Sequence, residues 1–194
     1  MIAYLRGRVL ELSPGRVVLE VGGVGYELQL PLSAFSQLQG QAEASLHVHT
    51  YLRQDQLVLF GFTSAVERDV FRLLLGVAGV GPRMALALLS GLPPAELAAA
   101  VEAGRWQSLA QAPGVGRRTA ERVVVELKGK LNKVVEPVAV SLREDALSAL
   151  VNLGYGSKQA GEVLSVLFRE RGDWQLPDLL REALRRLVKV STLS

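Results

Sequence analysis

The sequence predicts an α+β multidomain chain: an OB-like β-barrel over residues 1–63, an all-helical module over 64–131, a linker over 132–142 and a three-helix domain over 143–194. Three observations carry this. The apolar residues recur at about every second position up to Phe62 and at about every 3.6 positions from Ser64 onward. A glycine-rich pentapeptide in the helical part recurs 35 residues later. Over Asn132 to Leu142 the helical period fails around Pro137, which marks a linker.

The first strand spans Tyr4 to Leu12 and is closed by the turn residues Ser13-Pro14-Gly15. Val17 to Val21 follows, then a Gly22-Gly23 turn and Tyr26 to Leu30. A short helical piece at Leu32 to Leu38 precedes Leu46 to Leu52 and Leu57 to Phe62, joined by the polar tip Arg53-Gln54-Asp55-Gln56. Five short strands with one interposed helix suit a small closed barrel of the OB type. In the helical module, Ser64 and Glu67 have capping-box spacing, and Val66, Val70, Phe71, Leu74 and Leu75 form one apolar face. Helices continue to Leu131, interrupted at Gly91-Leu92-Pro93-Pro94 and at Gly104. Three further helical patterns lie at about Glu144 to Leu153, Lys158 to Phe168 and Asp178 to Lys189.

Roughly half of the 194 residues are apolar and about a fifth charged, the balance of a globular chain with material for a core. No stretch reaches the roughly 18 apolar residues of a membrane span, and the opening MIAYLRGRVLEL interleaves charge with apolar groups, so a cytoplasmic protein is expected. The absence of cysteine excludes disulfides, thiolate metal sites and thiol nucleophiles. His47 and His49 share one strand face, and with no acid cluster near them in sequence they read as surface imidazoles, not metal ligands. No metal or cofactor is expected. Net charge is +3, but residues 63–133 carry ten basic and six acidic groups while the flanking parts are near neutral. Such an excess suits either a polyanion-binding surface or an ordinary solvated face.

The repeat is the sharpest signal. Gly79-Val80-Gly81-Pro82-Arg83 recurs as Gly114-Val115-Gly116-Arg117-Arg118, and Leu74, Ala85, Leu88 and Leu89 correspond to Leu109, Ala120, Val123 and Val124. Tandem helix-hairpin-helix units follow. The first glycine of each can bend the chain at positive φ, and the second lets a ligand approach the backbone without a Cβ in the way. The intervening valine can turn inward, leaving backbone N–H groups at a helix N-terminus to receive a phosphate. Arg83, Arg117 and Arg118 add charge-assisted hydrogen bonds.

Other readings stay open at this level. Both hairpins could be tight interhelical turns. Similar hairpins occur in repair glycosylases and nucleases, which need a positioned carboxylate or lysine; Met84 to Leu89 offers none, and Glu121 and Glu126 are flanked by Arg122 and Lys128 as ion-pair partners would be. A single-strand-binding barrel would need exposed aromatics among Tyr4, Tyr26, Tyr51, Phe60 and Phe62. A nucleotide site is disfavoured, since neither a G-x-G-x-x-G turn after a strand nor a P-loop is present.

Gly22-Gly23-Val24-Gly25-Tyr26-Glu27, Phe60-Gly61-Phe62, Gly79-Val80-Gly81-Pro82, Leu88-Leu89-Ser90-Gly91 and Thr119-Ala120-Glu121-Arg122, in this order, make the whole chain resemble the RuvA family of bacterial Holliday-junction-binding subunits. The resemblance implies a non-catalytic homotetramer, one or two per junction. Such a platform grips DNA by its backbone without reading sequence and recruits the hexameric RuvB ATPase for branch migration in recombination and repair. A junction-resolving nuclease is a further implied partner. The implied phosphate contacts are the hairpin backbone at Val80, Gly81, Val115 and Gly116, beside Gly79 and Gly114, with the side chains of Arg83, Arg117, Arg118, Arg122 and Lys128. The family's acidic pin of two carboxylates corresponds here to Gln54 and Asp55, so one acid is missing. The C-terminal domain, similar to ubiquitin-associated (UBA-like) three-helix folds, would dock the motor through Leu150, Leu153, Tyr155 and Leu184.

Overall fold

The computed structural model of the chain describes residues 1–53, 56–171 and 174–191. The tip residues Gln54 and Asp55, to which the family resemblance assigns the acidic pin, lie outside the described residues.

The N-terminal part is a closed five-stranded barrel: β1 (Tyr4–Ser13), β2 (Arg16–Val21), β3 (Val24–Gln29), β4 (Glu43–Arg53) and β5 (Gln56–Phe62), with α1 (Leu32–Leu38) between β3 and β4. Neighbours run β1-β2-β3-β5-β4, closed by β4 on β1, and every pair is antiparallel except β3 with β5. This is the OB-like topology that the sequence predicts. Alternation fills the interior with Leu5, Val17, Leu19, Leu28, Leu46, Val48 and Leu59. Gly61 also points inward, where a Cβ would come within 2.9–3.1 Å of Leu30, Leu46 and Leu28, so the side chains of three leucines occupy its place.

Helices α2 (Ala65–Leu75), α3 (Pro82–Gly91), α4 (Pro94–Glu102), α5 (Trp106–Leu109) and α6 (Arg117–Leu127) follow. The cap on α2 differs from the expected box in one detail. Ser64 Oγ accepts from Glu67 N–H at 3.1 Å, but the Glu67 carboxylate accepts from the N–H and hydroxyl of Thr63, not of Ser64. The barrel and these helices form one compact unit, Met1–Leu131, where the sequence suggests two parts at residue 63. The reason is an apolar seam on the outer barrel wall. Phe71 of α2 packs against Phe60 and Phe62 with ring centroids 5.0 and 4.9 Å apart, and Leu32 N–H donates to Ser90 Oγ of α3. His47 and His49 belong to that wall and are half-buried: His47 packs edge-on against Tyr4 and His49 against Phe71, which corrects their reading as surface imidazoles.

The second unit, Asn132–Ser194, contains α7 (Asn132–Asn152), α8 (Ser157–Glu170) and α9 (Leu176–Ser191) around Ala146, Leu150, Ala160, Leu164, Leu167, Leu179, Ala183 and Leu187. The expected irregular linker at 132–142 is helical instead, forming the first half of α7. Pro137 deprives the helix of a single backbone bond, and with no glycine nearby the flanking turns carry the helix through it. Among the described residues no single helix is long and apolar enough to cross a membrane.

Candidate nucleic-acid interface

Both pentapeptides form the same hairpin, and their hydrogen bonds repeat as closely as their sequences. In the first, Val80 N–H donates to Val77 O at 3.0 Å and Ala85 N–H to Gly81 O at 3.0 Å. Thirty-five residues on, Val115 N–H donates to Ala112 O at 3.1 Å and Ala120 N–H to Gly116 O at 3.0 Å. The leading glycines take the positive φ expected of them, +87° at Gly79 and +81° at Gly114. Val80 and Val115 are each 6% exposed, and Leu74, Leu109, Ala85, Ala120, Leu88 and Val123 are fully buried, so one interhelical packing is built twice.

The outward surface is the N-terminus of α3 or α6, with Gly81 or Gly116 as N-cap and no side-chain cap on either. Nothing lies within 4 Å of where a Cβ would stand on Gly81 or Gly116, so the approach to the backbone is open. The unsatisfied donors of the first helical turn, with the positive end of the helix dipole, give each hairpin the geometry that suits an anion. One correction concerns the valines. Their N–H groups close the hairpin turns on Val77 and Ala112 and cannot also be phosphate donors, which leaves Gly81 and Gly116 and the N–H groups just inside each helix.

The basic side chains divide in two. Arg83 and Arg118 hold the same second helical position of α3 and α6; both are exposed, and neither has an ion-pair or hydrogen-bond partner among the described residues. Lys128 is likewise exposed and unpaired at the end of α6. Arg117 is engaged: its Nε donates to Glu121 at 2.8 Å and its guanidinium lies over the Trp106 ring, 5.0 Å from the centroid. Arg122 is engaged too, donating from Nη1 to the Ala78 carbonyl at 3.0 Å, with Glu126 4.0 Å from its Nε. Glu121 and Glu126 are therefore the ion-pair partners that the sequence suggests. Trp106 and Ala78 are the residues that sequence reading misses. Trp106 stands where the repeat interval places Phe71 in the first unit, and that aromatic recurrence is the available signal for it; a backbone carbonyl gives none.

The stacking platform of a single-strand binder is not assembled on the barrel. Phe60 and Phe62 are 2% and 0% exposed, and of the five aromatics considered only Tyr4 is largely exposed. Among the described residues no group of three or more metal-ligating side chains comes together.

In the C-terminal unit the four residues expected to dock a partner separate by burial. Leu150 is fully buried at the centre of the three-helix core and is unavailable to any partner; this corrects its place on the docking face. Tyr155 and Leu184 are half-buried at the edge of that core, and Leu153 is 62% exposed beside the exposed Val151.

Comparison with known proteins agrees with this architecture part by part. Residues 1–61 match the RuvA N terminal domain, 71–130 the SAM-like helix-hairpin-helix tandem and 141–188 the RuvA C-terminal domain. Among curated relatives, the Holliday junction branch migration complex subunit RuvA of Syntrophotalea carbinolica is 44% identical, covering 97% of this chain and 100% of the relative. The proteins of the same name from Aeromonas salmonicida and Geobacter sulfurreducens are 41% and 40% identical over the same shares. With its three parts matched in order and nearly its whole length aligned, the chain belongs to the RuvA family.

Proposed function

We propose that this protein is a non-catalytic scaffold that binds four-way DNA junctions through their phosphate backbones and recruits a RuvB-type hexameric ATPase that drives branch migration. The observation that carries the reading is the duplicated hairpin: two helix N-termini, each open at a glycine and each flanked by an arginine, Arg83 or Arg118, without a partner among the described residues. Relatives that align over essentially the whole chain carry the name of a Holliday junction branch migration complex subunit, and that is the context in which such receptors act.

Backbone donors and arginines at these positions hold phosphates whatever the base sequence, so selectivity rests on the shape of the junction. A homotetramer, as one or two copies per junction, multiplies the paired hairpins over the four arms. The C-terminal unit presents Leu153 with the edges of Tyr155 and Leu184 to the motor, Leu150 supporting them from the core. ATP hydrolysis belongs to the motor, and the site of action is the cytoplasm, with a junction-resolving nuclease as a later partner.

The test is reconstitution. The chain alone is expected to leave a labelled four-way junction intact in Mg²⁺ and ATP, and with the motor added to convert it to duplex products. Cleavage by the chain alone would favour a repair enzyme, and motor activity independent of the chain would remove the recruiting role.

A further inference from the structure

Arg122 and Ala78 belong to different repeats. Arg122 projects from α6 of the second hairpin unit, whereas Ala78 lies in the loop of the first, immediately before the positive-φ Gly79. The hydrogen bond between them, Nη1 to carbonyl at 3.0 Å, ties the second helix-hairpin-helix to the loop of the first across 44 residues of sequence. Glu126, one turn further along α6, faces the Nε side of the same guanidinium at 4.0 Å and helps to aim it.

The tie has no counterpart in the other direction. Shifted by the repeat interval, Arg122 corresponds to Ala87 and Ala78 to Pro113, and Ala87 has no side-chain donor. The pseudo-symmetry that duplicates the phosphate receptors is broken here by a single side chain. The loop it holds is the one whose conformation decides where Gly81 and the first turn of α3 present their donors.

We propose that Arg122 is a positioning residue that latches the first hairpin to the second and so sets the spacing of the two phosphate receptors, instead of serving as an independent phosphate ligand. The proposal rests on the DNA-backbone reading above, and it accounts for an arginine that lies close to the hairpins yet has its donor turned to a protein carbonyl. Two receptors on one rigid frame bind neighbouring phosphates without each having to order its loop separately, so the latch acts on affinity through preorganisation.

The test separates the latch from the DNA reading by beginning without DNA. In the free full-length protein, Arg122→Gln is expected to speed amide hydrogen exchange over Gly76–Gly81 by roughly five- to tenfold, the scale of one net hydrogen bond at a partly exposed site, and to leave Gly114–Arg118 unchanged. Arg122→Lys keeps the charge but not the planar fork and is expected to accelerate the same loop.

Four-way junction titrations then place Arg122→Gln in double-mutant cycles. Its effect should be non-additive with Arg83→Ala, by a factor of about three or more, and additive with Arg118→Ala. Unchanged exchange at Gly76–Gly81 in both variants, or additive losses with Arg83, would overturn the latch and return Arg122 to the phosphate ligands. Absence of junction binding by the wild-type protein would instead strike the functional reading and leave the exchange result standing.

Discussion

The guanidinium of Arg117 stacks over Trp106, 5.0 Å from its ring centroid, while Arg118, the next residue, stands in solvent with no partner among the described residues. Two adjacent arginines that look equivalent in sequence are thus different instruments. The stack and the Glu121 pair together hold Arg117 by about 1 kcal/mol, enough to bias its rotamer and join α5 to α6.

Because Arg83 and Arg118 are symmetric in the repeat and unpaired among the described residues, Arg83→Ala with Arg118→Ala is expected to flatten the dependence of log K on log salt for junction DNA by roughly two phosphate contacts. Arg117→Ala should change the slope by less than one contact. Titrations of both variants at several salt concentrations check this, and an equal loss for Arg117 would show that its stacked position is also a phosphate site.

The two glycines of each hairpin should fail in different ways. Gly79→Ala or Gly114→Ala forces a Cβ into left-handed backbone and is expected to cost about 1–2 kcal/mol of stability, read from denaturant midpoints. Gly81→Ala meets open space at φ −93°, so its folding should be unchanged while DNA binding weakens as the Cβ intrudes on the phosphate approach. Wild-type binding by Gly81→Ala would place the phosphate elsewhere.

The barrel wall carries an acid-sensitive element. Burial lowers the pKa of both His47 and His49 below the ordinary imidazole value near 6.5; Arg68 lowers His47 further, against Asp69, and Arg72 and Arg68 lower His49 further. A depressed pKa means that the unfolded chain takes up the proton first. The stability these residues contribute is therefore complete above about pH 6.5 and lost as pH falls toward the folded-state values. Thermal midpoints measured from pH 8 to 5 should decline through this window, and less steeply in His49→Gln. A decline equally steep in that variant would assign it to other groups.

In the C-terminal unit, burial separates support from contact. Leu150→Ala should destabilise the three-helix core by roughly 2–5 kcal/mol, whereas Leu153→Ala should leave its stability within about 0.5 kcal/mol and weaken capture of a RuvB-type motor. Calorimetry paired with motor pull-down distinguishes them; a Leu153→Ala protein that retains the motor would move the docking face.

Period and punctuation made the strands, α1, the hairpins and the three C-terminal helices legible, because alternation and the 3.6 spacing report burial directly. Gly79 and Gly114 could be placed at positive φ because their setting was written twice. Pro137 argues for a linker at 132–142, but its local cost is overridden by the flanking helical turns, which sequence spacing does not report. Leu150 and Leu153 are the same residue type three positions apart, and only packing tells the buried one from the exposed one. The roles of Arg117 and Arg122 depended on Trp106 and on the Ala78 carbonyl, contacts that spacing along the chain does not encode.

The most direct test of the central claim is a competition titration of the full-length protein between a four-way junction and a linear duplex of the same sequence, at two salt concentrations. The account predicts a strong junction preference that persists at the higher salt, since shape selects which DNA presents phosphates to all the hairpins together. Equal affinity for both DNAs, falling together as salt rises, would contradict it and leave only a general backbone binder.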